Sequence, residues 1–217
     1  MNIYVKDYDK YYMDFSQLPS RESIDKTITA LKANGIEAEF VKTSEDAKAK
    51  TLSLIPEGSE VMTMTSVTND TIGLSEELNT DKFHSVRNEL MKLDRATQSQ
   101  DMQKLGAAPE YTTGSAHALT EDGKIIIASN TGSQLAAESY GAHTVVLVVG
   151  AQKIVPNLDM AMKRIYEYVL PKESVRARKA YGLPDTWNSF VSKILIINKE
   201  VTPQRIHVII VNQELGF

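Results

Sequence analysis

An α/β fold, with a mostly parallel sheet flanked by helices, follows from three features of the sequence. An amphipathic helix runs straight into an alternating strand near the start, which is the opening of an α/β unit. Short apolar runs recur, the longest being Val145 to Val149, and each is strand-sized and bounded by turn-forming residues. Two late apolar segments joined by a short connection predict an antiparallel hairpin at one edge of the sheet, near the C-terminus.

Taken in order, SRESIDKTITALKANG places Ile24, Ile28 and Leu31 one turn apart, with Ser20 as N-cap and Gly35 beyond the last turn. IEAEFV then alternates as a strand through Ile36, Ala38 and Phe40. Ser44 to Leu54 is a second helix, ended by Pro56 and Gly58, and Glu60 to Thr65 a second strand that runs into the polar loop SVTND. The charged text from about 81 to 106 is helical in composition and reads as an excursion or partner surface; His84 and Arg87 within it either reach the site or, as the favoured reading, are solvated side chains. Asn157 caps a later helix carrying Leu158, Ala161, Met162, Ile165 and Val169, which Pro171 is expected to stop. KILIIN and RIHVIIVN, joined through EVTPQ, supply the hairpin.

No linker rich in Pro, Gly and Ser divides the 217 residues, so one α/β domain spanning 1–217 is expected. No run of eighteen apolar residues suggests a membrane span, and the N-terminus MNIYVKDYDKYYMDF lacks a secretory pattern, which points to the cytoplasm. With no cysteine, the chain itself offers no disulfide, thiolate nucleophile or iron–sulfur ligand. A net charge of −4 gives no overall footprint for nucleic acid, and the basic KESVRARK stretch reads as a solvated helix face. Four scattered histidines without HExxH spacing argue against a metal, and GxSxG, GxGxxG and the P-loop are all absent.

The chemistry concentrates between Tyr111 and Gly150. Thr113, Gly114 and Ser115 form a hydroxyl-flanked glycine turn suited to exposing N–H groups to an anion, or to capping a short helix over Ala116 to Leu119. His117 lies beside it as a candidate acid or base. Glu121, in Thr120-Glu121-Asp122-Gly123, is either the solvent-facing residue of a tight turn or a nucleophile or base. Ser129, Asn130, Thr131, Gly132, Ser133 and Gln134 close a strand and open a short helix, where free N–H groups favour phosphate or carboxylate. Ser66 and Thr68 stand at another strand end, as ligand contacts or as helix caps.

GSAHALTEDGKIIIASNTGSQ, VVLVVGAQKIVPNLDMAMKRI and RIHVIIVNQELGF together resemble the lactate-utilisation (LUD) domain family, in particular members like lactate utilisation protein C. The resemblance runs from about Ser20 to the C-terminus and implies a fold similar to the ribose-5-phosphate isomerase, glucosamine-6-phosphate deaminase and CoA-transferase group. It implies a role in lactate or related organic-acid use, with a small anionic metabolite in a cleft lined by the Ser66, Gly114 and Ser129 loops. Iron–sulfur partner subunits, a homo-oligomer and a non-catalytic assembly role also fall within it, and it names no cofactor for this chain. Glu121-Asp122-Gly123 resembles the Glu-x-Gly motif of family I CoA transferases, which implies the alternative of a CoA-ester or sugar-phosphate enzyme using Glu121, with His117 as auxiliary acid or base.

Overall fold

Two sheets stacked between helices carry the chain. The computed structural model describes residues 14–217; the aromatic and charged stretch at 1–13 lies outside the described residues. The strands are β1 (Glu37–Val41), β2 (Glu60–Thr63), β3 (His84–Ser85), β4 (Tyr111–Gly114), β5 (Ala118–Thr120), β6 (Ile125–Ser129), β7 (Thr144–Gly150), β8 (Ile154–Val155), β9 (Lys193–Ile197) and β10 (Ile206–Val211). The helices are α1 (Arg21–Ala33), α2 (Ser44–Leu54), α3 (Val67–Thr71), α4 (Leu74–Leu78), α5 (Val86–Met91), α6 (Ser99–Ala107), α7 (Leu158–Arg164) and α8 (Leu170–Tyr181).

The first sheet has the order β1-β10-β7-β4-β2-β3 with every neighbouring pair parallel. Alternate residues of β7 explain its unbroken apolar run: Val145, Leu147 and Val149 pack toward Ile24 and Leu31 of α1 and Ile125 and Ile127 of β6. Val146 and Val148 pack toward Ala47 of α2 and Leu74 and Leu78 of α4. A central parallel strand is buried on both faces, so period-two alternation vanishes from its sequence. The second sheet, β8-β5-β6-β9, turns its other face to Ala161 and Ile165 of the late helical run.

The caps follow the expected chemistry. Ser20 accepts from the Ser23 N–H ahead of α1, and Thr43 and Asp46 close a reciprocal capping box on α2. Asn157 likewise accepts from Met160 to start α7.

Three expectations are corrected. Ala116 to Leu119 does not form a helix; β5 occupies the position, buried between β6 and β8, and sheet pairing overrides a local cap signal. Pro171 does not stop the late helix, which runs unbroken over 158–181. A π-helical turn, Ile165–Val169, immediately precedes the proline, and the widened turn absorbs both the missing N–H and the ring. The antiparallel strand near the C-terminus exists, but β9 pairs with β6 at the edge of the second sheet, while β10 enters the middle of the first. Burial separates the two strands: β10 is almost wholly buried and β9 largely half-exposed. The stretch around 81–106 holds α5 and most of α6, together with β3, a two-residue strand that composition did not suggest.

Candidate functional site

A cleft of about 510 Å³ opens where the C-terminal ends of β2 and β4 meet the ends of β6 and the 158–181 helix. In an open parallel sheet this is the ligand-binding end. Of the residues singled out from sequence, Ser66, Thr68, Ser115, His117, Ser129, Asn130, Thr131, Ser133 and Gln134 line it. Thr113, Gly114 and Gly132 support the wall without facing the cleft.

The hydroxyls at the mouth are largely committed to their own turns. Ser66 caps α3 by accepting from the Asn69 N–H. Ser129 accepts from the Gly132 N–H at 2.8 Å and donates to Gln134. Thr131 donates to Ser133 and accepts from its N–H. Gly132 has φ +85°, a conformation that L side chains rarely adopt, so the turn demands glycine; a Cβ there would meet only the flexible Lys193 side chain.

At the floor the balance reverses. Lys153, 2% exposed, follows the last residues of β7, and its Nζ donates to Thr68 Oγ1 at 3.0 Å and Ser115 Oγ at 3.2 Å. Among the described residues no carboxylate comes within ion-pair distance of it. Burial, and then the nearby charge of Arg164, hold its ammonium well below the ordinary lysine range. Arg164 is also fully buried; Nη1 donates to the His117 carbonyl at 2.6 Å, while Nε and Nη2 have no partner among the described residues. Its guanidinium rests 5.1 Å from the Tyr168 ring centre.

His117 is neutral and oriented. Its Nδ1 accepts from the Ala128 N–H at 3.1 Å, which leaves the proton on Nε2. Burial first, then Lys153 and Arg164, push its pKa down to about 3. Glu138 also lines the cleft, from a π-helical turn at Ala137–Gly141. It is 1% exposed, its Oε2 has no partner among the described residues, and burial lifts its carboxyl well above the usual range.

Glu121 is not brought to the cleft. Its carboxylate accepts from Ser23 Oγ at 2.6 Å and Lys26 Nζ at 2.8 Å, both on α1. Lys26 first and Ser23 second hold it below the ordinary carboxylate range. Asp122-Gly123 forms the tight turn, with Gly123 at φ +81°. Sequence reasoning missed Lys153 and Glu138, and it favoured a solvated role for Arg87 over one at the site. Arg87 in fact lines the cleft, half-buried, and donates to the Thr63 carbonyl and Thr65 Oγ1. A lysine just past the C-terminal end of the most apolar strand was the available signal for the floor. Glu138 carried none, because an AAES helix segment reads as surface until its burial is known.

Among the described residues, no cluster of three His, Asp or Glu could hold a metal ion, and no helix is long and apolar enough to cross a membrane. The LUD domain pattern matches residues 24–211. No curated protein matches the chain. A 1.70 Å crystal structure of a DUF162 family protein from Deinococcus radiodurans superposes with a TM-score of 0.56 at 16% identity, over 90% of this chain and 100% of that one.

Proposed function

The chain belongs to the LUD domain family, and on that premise we propose that it binds a small organic anion, lactate or a related acid, at the floor of the cleft. One observation carries the reading: Lys153 is buried at the floor with two hydroxyl partners and no carboxylate. Burial without a counter-ion disfavours the ammonium form, and a titratable amine kept in a cleft under those conditions is poised to take up a proton with an arriving anion. An anion entering the cleft supplies the missing charge and raises the ammonium back toward its ordinary range. Arg87, Arg95 and Arg176 line the same cleft; among the described residues only Arg176 is matched by a carboxylate, Glu173 at 2.7 Å, so these residues give the cleft a surplus of positive charge. The Ser66, Ser115 and Ser129 to Gln134 segments then act as walls that shape the opening.

Calorimetric titration of wild type and Lys153→Met with lactate, pyruvate and inorganic phosphate tests this. Wild type should bind at least one organic acid, and Lys153→Met should lose about tenfold or more, equivalent to about 1.4 kcal/mol. Equal affinity in the two proteins would remove Lys153 from the site.

A further inference from the structure

Glu138 stands out among the groups that the anion reading leaves unused. Its carboxyl lines the cleft that holds Lys153, yet it is sealed from bulk water and its Oε2 lacks any hydrogen-bond partner among the described residues. No cation lies within ion-pair distance of it among those residues. An ionised carboxylate in that setting is strongly disfavoured, so the group keeps its proton. Buried polar atoms are almost always partnered, and one that is not, in a cleft wall, marks a place where a bound molecule completes the set.

The backbone around Glu138 is built to hold it there. Arg205, just ahead of β10, donates from Nη2 to the carbonyls of Ala137 and Glu138 at 3.1 and 3.2 Å and from Nε to that of Ala142 at 3.0 Å. Its charge is answered by Glu200 at 2.8 Å and is not aimed at the Glu138 carboxyl. Opposite, a Cβ on Gly114 would lie 3.2 Å from Glu138 Oε1, so a glycine at the end of β4 leaves space for the acid. The next residue, Ser115, is the one that accepts from Lys153. The acid and the ammonium therefore flank consecutive residues of one strand end.

We infer that Glu138 is the specificity determinant of this cleft: as an un-ionised acid it donates its proton in a hydrogen bond to the oxygen on carbon 2 of a short carboxylic acid whose carboxylate Lys153 holds. This rests on the anion reading above and deepens it, because it restricts the ligand to 2-oxo and 2-hydroxy acids. A buried donor rejects an analogue that lacks the matching oxygen, since the donor is then left unpaired.

The test is a titration of wild type, Glu138→Gln and Glu138→Leu with pyruvate, lactate and propionate, the last lacking the oxygen on carbon 2. Wild type should prefer pyruvate or lactate over propionate by about tenfold or more. Glu138→Gln, which still carries a donor, should keep most of that preference, and Glu138→Leu should bring the ratio close to one. Whether pyruvate or lactate binds more tightly separates the oxo from the hydroxy class. An unchanged ratio in Glu138→Leu overturns the assignment to Glu138 while leaving the anion site standing. Wild type that binds none of the three overturns the anion reading and this one with it. Independently of any ligand, the infrared difference spectrum of wild type against Glu138→Gln at neutral pH should contain the carbonyl stretch of an un-ionised carboxyl; its absence overturns the inference.

Discussion

The turn at Ser129 to Gln134 and the floor at Lys153 and Glu138 face the same cleft, and they differ in what their polar atoms already have. In the turn, Ser129 bonds Gln134 and the Gly132 N–H while Thr131 and Ser133 bond each other, so hydroxyl density there serves the chain's reversal of direction. At the floor, among the described residues, the Lys153 amine has only hydroxyl partners and a carboxyl oxygen of Glu138 has none. Richness in polar residues is therefore a weaker guide to a ligand than unanswered polarity under burial.

Substitutions should pull the two regions apart. The largest expected effect is at Lys153→Met, which should reduce organic-acid affinity tenfold or more while raising resistance to urea by about 1 kcal/mol, since an apolar side chain replaces a buried amine that no carboxylate compensates. Equilibrium unfolding in urea measures the gain, and a loss of stability would mean that the ammonium is structurally satisfied. Next comes His117, whose folded ring refuses a proton until about pH 3 while the unfolded ring takes one below pH 6.5. Its contribution is present above pH 6.5 and is lost as pH falls toward 3, with a slope of up to about 1.4 kcal/mol per pH unit. Comparing unfolding of wild type and His117→Asn at pH 7 and pH 5 should show a shallower loss in the variant; parallel losses would place the titration elsewhere.

Smaller effects are expected at the turn. Gly132→Ala should cost about 1 kcal/mol, because it places a side chain at positive φ, and should leave ligand affinity within about threefold. A Thr131→Val, Ser133→Ala double variant should likewise change affinity by less than about threefold in the same calorimetric assay. Tenfold weakening would return the turn to the centre of the site. The smallest effect is at Glu121→Gln, since its partner Lys26 is exposed and solvent screens the pair. Because that carboxyl is held low in the folded chain, whatever it contributes is present at neutral pH and fades as the medium is acidified through its lowered pKa. Unchanged ligand binding in this variant is the expected companion result.

Much of the fold was legible because capping and periodicity are local. Ser20 and Asn157 start helices where their side chains reach free N–H groups, and the apolar run of β7 announces a buried strand. Pairing was not legible. KILII and IHVIIV both read as strands, but only the burial of β10 between β1 and β7 sends it away from β9. Pro171 misled because the π turn that accommodates it has no separate sequence mark. At the site, the loops at Ser66, Ser115 and Ser129 were visible as strand-end polar clusters, whereas Lys153 and Glu138 acquire meaning only from burial, a tertiary property that spacing along the chain does not encode.

The ammonium of Lys153 offers the most direct measurement. Selective ¹³Cε-lysine spectra, assigned by comparison with Lys153→Met and followed through a pH titration with and without saturating pyruvate, report its protonation. A single lysine titrating below the ordinary range in the free protein and moving upward when pyruvate is added is the predicted result; a Lys153 signal whose titration is the same with and without the acid would contradict an anion site at the cleft floor.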